Sequence, residues 1–260
     1  MTEVQKEKTI SFSSFSLYHE CPYKWKLSYI DGKKFAGNIF SSFGKAVHSS
    51  VEKKIKVREC DEVKTFLEEF KKSLKELPKE EKNKIPVELI KEFRLQGEKI
   101  VPLVLVALDK KYPGFELVDI EKELKEEIEL GFKFVGYVDI IIKYQDKYYI
   151  LDFKTCSWGW DAEKKTDKIV TYQLAFYKNF FARQKNIPLA DIETGFVLLK
   201  RIAKKNEVEF VRVSCGEKKI KNATKMLYNT CLNINSSNFP KNRSSCTRCQ
   251  FHNTDDCKKW

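Results

Sequence analysis

The stretch from Gly136 to Lys154 constrains the fold of this chain more than any other. It reads Gly136-Tyr137-Val138-Asp139, an apolar run, Tyr144-Gln145-Asp146-Lys147, and then Ile150-Leu151-Asp152-Phe153-Lys154. Two strand-like runs flanking a short polar turn predict a hairpin, although the turn lacks the favoured Asn-Gly. With Gln145 and Asp146 as a two-residue loop, Asp139 falls directly across from Asp152. Sliding the loop by one residue still keeps both on one face. Side chains two apart on a strand share a face, so Lys154 lies beside Asp152. Like charges facing one another destabilise a sheet. The two carboxylates therefore call for a cation, and a divalent metal, Lys154 or both can supply it. Hard ions such as Mg²⁺ take carboxylate oxygens and retain waters, which this pair suits.

Composition sets the frame. The chain has 260 residues, 42% hydrophobic and 13% aromatic, enough to bury a core and to exclude wholesale disorder. Lysine and arginine number 49 against 37 acidic residues, a net charge of +12 that points to a polyanionic partner such as nucleic acid. No apolar run reaches the roughly 18 residues of a membrane span, and the longest candidate, Val101 to Leu108, contains Pro102. The first residues are polar and lack the apolar core of a signal peptide. The expectation is a cytoplasmic protein, not secreted and with no membrane partner.

Periodicity predicts a mixed α/β chain read as a single domain over 1–260. Residues 11–30 read as one helix with serine caps, and a glycine-containing loop follows from Gly32 to Gly44. A helix then begins near Lys45, and two or three more fill 61–111, with breaks at Pro86 and Pro113. Leu117–Ile120, Glu126–Leu130, Phe132–Lys143 and Lys147–Lys154 read as strands. Residues 166–185 return to helix, Ile192–Lys200 and Glu207–Val213 to strand, and 216–233 to helix. This predicts a helical elaboration over 45–114, an αβββαβ core over 115–215, and a C-terminal helix with a cysteine cluster over 216–260.

Other short patterns accompany the hairpin. Gly44-Lys45-Ala46-Val47-His48 is followed by Glu52, which places His48 and Glu52 on one helical face. Gln173 and Tyr177 share a face in the same way, on the helix after the Asp152 strand. Cys246, Cys249 and Cys257 crowd the C-terminus, while Cys21 precedes Pro22 near the start. Four thiolates can hold Zn²⁺ or a [4Fe–4S] cluster, and spacing alone does not decide. Trp158, Trp160, Lys164 and Lys165 follow the Asp152 strand. They fit base stacking with phosphate contacts, or equally aromatic packing under a loop.

In order and spacing these motifs resemble the PD-(D/E)xK nuclease superfamily, and within it the RecB-type branch that includes the CRISPR-associated adaptation nucleases. The resemblance implies a restriction-endonuclease-like fold. It implies that His48, Asp139, Asp152 and the carbonyl of Phe153 ligate one or two Mg²⁺ or Mn²⁺ ions. Lys154 would activate the attacking water, and Gln173 would hold Lys154 and that water. Glu52 and Tyr177 would stand behind these residues. It also favours a [4Fe–4S] cluster on Cys21, Cys246, Cys249 and Cys257 over a structural Zn²⁺. The implied activity is a metal-dependent DNA exonuclease acting on single strands or ends in repair, recombination or foreign-DNA processing, with a separate helicase or recombination protein as partner. The alternatives are a non-catalytic DNA-binding subunit of a helicase–nuclease complex and a zinc-stapled RNA-processing nuclease.

Overall fold

A computed structural model describes residues 8–33 and 37–258 of the chain, the Arg248 side chain excepted. The polar segment 1–7 and part of the expected glycine loop, 34–36, lie outside the described residues. Six strands make one mixed sheet: β1 (Lys8–Ile10), β2 (Glu116–Ile128), β3 (Phe132–Tyr144), β4 (Lys147–Cys156), β5 (Ile192–Lys200) and β6 (Val208–Arg212).

β3 is the hub. β2 pairs antiparallel along one whole edge. The other edge is shared: β4 pairs antiparallel from Tyr144↔Lys147 to Ile140↔Leu151, and β1 pairs parallel over Phe132 to Phe134. Between them, residues 135–139 have no partner strand on that edge among the described residues, so the sheet forks beside Asp139. β5 runs parallel to β4, and β6 antiparallel to β5. The hairpin register is the expected one, with Gln145 at φ 50° in the turn.

Alternation along the strands feeds two cores. Ile140 and Ile142 join the core made with α3 (Ile39–Lys56), α4 (Glu62–Glu76) and α6 (Val87–Lys111). Ile141 and Ile150 join the core made with α1 (Phe12–Glu20), α8 (Lys168–Lys185) and α9 (Glu217–Asn235). A sheet covered on both faces explains why these runs are continuously apolar. The described residues also form the short helices α2 (Pro22–Tyr29), α5 (Lys79–Asn83) and α7 (Ala162–Thr166). Among the described residues no helix is long and apolar enough to cross a membrane.

Several boundaries differ from the expected ones. Residues 11–30 form two helices, because Pro22 can only start a helix and Cys21 before it is extended at φ −161°. Ser11 caps the first of them, accepting from the Ser14 N–H at 3.1 Å. α3 begins at Ile39, where Asn38 and Ser41 form a reciprocal cap, so Gly44 is helical and not part of a loop. A Cβ on Gly44 would come 3.3 Å from Thr155 Oγ1, so its absence lets α3 lie close over β4. The two strands expected in 117–130 are one continuous β2, and β1 carries no pattern strong enough to predict from sequence.

Candidate active site

Four elements converge at the fork. α3 supplies His48 and Glu52, β3 supplies Asp139, β4 supplies Asp152 and Lys154, and α8 supplies Gln173 and Tyr177. His48 Nδ1 lies 3.6 Å from Asp139 Oδ2. One donor atom each from His48, Glu52 and Asp139 falls within 4.8 Å of the other two. The β3–β4 ladder ends at Ile140↔Leu151, and beyond it the Phe153 N–H donates to Asp139 Oδ2 at 2.6 Å. A side chain thus takes over where the backbone pairing stops, and it holds that carboxylate in place.

Asp152 is buried, with one oxygen hydrogen-bonded and the other, Oδ2, held by an ion pair without hydrogen-bond geometry. Oδ1 accepts from Gln173 Nε2 at 2.7 Å, and Oδ2 faces the Lys154 ammonium at 2.6 Å. The same Gln173 nitrogen donates to the Tyr177 hydroxyl at 3.1 Å. A carboxylate can only accept, so the amide nitrogen must face Asp152, and Gln173 Oε1 is left buried without a partner. Gln173 therefore anchors Asp152, which in turn pairs with Lys154.

The electrostatics follow from burial and crowding. Burial, with the Asp139 and Glu121 charges, pushes the Glu52 carboxyl from 4.5 to about 8. Burial and the Asp139 charge outweigh the Lys154 ammonium and raise Asp152 from 3.8 to about 6. Burial alone would depress His48, but the neighbouring Asp139, Asp152 and Glu52 carboxylates lift it above its ordinary value. Burial and the Asp152 charge keep the Tyr177 hydroxyl protonated. Carboxylates that resist ionising together, beside an imidazole, make a donor set that suits Mg²⁺ or Mn²⁺.

Glu121 escaped the sequence reading. It sits on β2 between the pairs Ile120↔Ile140 and Lys122↔Val138, which puts it across from Asp139, and it shares a hydrogen bond with Glu52. Its φ of 49° is a departure that a non-glycine residue makes only where its surroundings compel it.

The other expected residues fall in two places. Cys21, Cys246, Cys249 and Cys257 line one cavity of about 580 Å³ between the start of α2 and the C-terminal segment. The Asn242 N–H donates to Cys21 Sγ at 3.4 Å. After β4, Trp158 is 68% exposed, whereas Trp160 packs on Phe196 at 5.0 Å with Lys164 over its outer face. Lys165 is paired with Glu209 at 2.7 Å.

A sequence profile of the PD-(D/E)XK nuclease superfamily matches residues 9–254, a span that holds His48, Glu52, Asp139, Asp152, Lys154, Gln173 and Tyr177. The chain belongs to that superfamily. The sheet of this nuclease-superfamily member is also found in the crystal structure of an Eubacterium rectale protein named as a candidate exonuclease. That match has a TM-score of 0.58 and 14% identity, over 96% of this chain and 91% of the other, and it is a likeness of fold. The solved structure named SSO0001 aligns more distantly, at a TM-score of 0.44 and 16% identity over 96% and 86% of the two chains. No curated protein matches the superfamily member described here.

Proposed function

We propose that this protein is a metal-dependent DNA exonuclease of the RecB-type branch, acting on single strands or ends. The observation that carries the reading is the buried Asp152, held by Gln173 and paired with Lys154, beside the His48–Glu52–Asp139 group. His48, Asp139, Asp152 and the Phe153 carbonyl would hold the metal, with Glu52 completing the set. The Phe153 carbonyl points to the same side of β4 as its N–H, where the ladder with β3 has ended. A divalent cation bound there supplies a water of lowered pKa and offsets charge on the phosphoryl oxygens.

The chain's own residues do the rest. Asp152 is ionised above about pH 6 and orients the Lys154 ammonium. Lys154, partly exposed at the rim, can hold the attacking water and stabilise the charge growing on phosphorus. Gln173 keeps Asp152 from turning away, and the Phe153 N–H does the same for Asp139. No covalent intermediate is needed. The +12 net charge supports a polyanionic substrate.

The cysteine cavity supports a [4Fe–4S] cluster on Cys21, Cys246, Cys249 and Cys257. Four thiolates can hold a [4Fe–4S] cluster or a Zn²⁺ ion, and the likeness to the iron–sulfur branch of these nucleases favours the cluster.

The deciding experiment incubates purified protein with end-labelled single-stranded DNA, duplex DNA and RNA, in Mn²⁺ or EDTA. Shortening of single-stranded DNA in Mn²⁺ alone is the expected result. Cleavage of RNA only would redirect the reading to RNA processing, and binding without cleavage would make the protein a scaffold subunit.

A further inference from the structure

The helical layer carries a groove that the reaction does not use. α4 turns Phe66 and Phe70 into the core, stacked at 5.5 Å, but leaves Leu67 and Leu74 half-buried. Ile90, early in α6 and also half-buried, lies across from them in a groove of about 500 Å³. Leu67, Phe70, Leu74 and Ile90 make its floor. His48, Asp139, Asp152 and Gln173 come from α3, β3, β4 and α8, so the groove shares no residue with the candidate active site.

The rim is basic. Lys71 and Lys75 stand one turn apart on α4, and Arg94 stands one turn beyond Ile90 on α6. Lys82 of α5 closes one end, its ammonium donating to the Lys75 carbonyl at 3.0 Å. Nearby acids are taken up elsewhere: Glu69 pairs with Lys72, Glu76 with Lys45, Glu81 with Lys84 and Glu98 with Arg94. Glu68 shares the adjoining surface with Lys71 and Lys75. Among the described residues, no carboxylate forms an ion pair with Lys71, Lys75 or Lys82.

Charge and floor together select the occupant. A surplus of cations favours an anionic partner. Exposed ion pairs contribute little by themselves, so most of the affinity must come from apolar side chains buried on the floor. A nucleic acid meets the charge but not the floor. Three of the four floor residues are aliphatic and Phe70 is only 3% exposed, which leaves no ring face for a base. We propose that this groove docks an acidic segment of a partner protein, whose large apolar side chains enter the floor while flanking carboxylates meet Lys71, Lys75 and Lys82. The proposal goes beyond the nuclease reading and does not depend on it.

Fluorescence anisotropy on the full chain tests it with labelled peptides. One is built of aspartates and leucines, a second has its leucines changed to serine, and a third has its aspartates changed to lysine. The first should bind at least about tenfold more tightly than either of the others. Lys71→Gln combined with Lys75→Gln preserves helix propensity, so Tm should hold. That pair should weaken binding of the first peptide about tenfold. Lys71→Glu combined with Lys75→Glu should reverse the preference and take the lysine peptide over the aspartate one. No binding of the first peptide by wild type, or equal binding by wild type and the glutamine pair, would overturn the proposal. If single-stranded DNA displaces the peptide and the glutamine pair loses affinity for DNA to the same degree, the groove is a nucleic-acid surface and the proposal fails.

Discussion

Glu52 is a buried carboxyl facing two others, Asp139 and Glu121, and at neutral pH it keeps its proton. Its folded pKa of about 8 lies above the unfolded value near 4.5. Between those values the folded chain binds a proton that the unfolded chain releases, so stability falls as pH rises through that window. Metal binding must expel the same proton, which makes affinity climb with pH. Glu52→Gln removes the ionisable group. In metal-free protein at pH 8 it should raise Tm, by about 2–4 °C for each kcal/mol recovered in a chain of this size, with a smaller gain at pH 5. Adding Mn²⁺ should then stabilise wild type more than the variant, by mass action. A scanning-calorimetry series in which the variant gains nothing at pH 8 would show that Glu52 is not under strain.

At the scale of elements, the hairpin was the most legible part of the chain. A two-residue turn fixes register, and register fixes which carboxylates face each other, so Asp139, Asp152 and Lys154 could be placed from spacing alone. Helical spacing did the same for His48 with Glu52 and for Gln173 with Tyr177. What stayed hidden depends on tertiary geometry. The fork at 135–139 exists because β1, only three residues long, takes over the edge that β4 leaves, and so short a strand has no readable period. Glu121 was lost for a related reason, since its left-handed backbone interrupts the alternation of β2. Helix packing shows the same dependence. Gly97 in α6 looks like a weak point, yet a Cβ there would run into the Phe66 ring of α4. Gly97→Ala should cost about 1–3 kcal/mol through overpacking, despite better helix propensity. Chemical denaturation would check this, and an unchanged midpoint would mean that Phe66 can turn aside freely.

Across the whole molecule, the N-terminal helices are bound to the C-terminal segment by many contacts. Trp25 stacks on Phe239 at 5.7 Å, Tyr18 donates to the Asn238 carbonyl at 2.6 Å, and Tyr23 donates to the Asp256 carbonyl at 3.2 Å. The cysteine cavity lies in this seam, so a cluster there would favour the folded state without touching the reaction. Anaerobically purified protein should carry about four irons per chain. Cys249→Ala should bleach the colour and lower Tm, while Cys60→Ala, remote from the cavity, should leave both unchanged. One zinc without iron would keep the seam's staple but change its chemistry. The central claim, that the forked sheet positions Asp152 and Lys154 for phosphodiester hydrolysis, has a more direct measurement. Asp152→Asn and Lys154→Ala proteins should bind single-stranded DNA within about threefold of wild type, since phosphate contacts elsewhere dominate affinity, and should lose Mn²⁺-dependent cleavage by at least about a hundredfold. Wild-type cleavage rates in both variants would contradict the account.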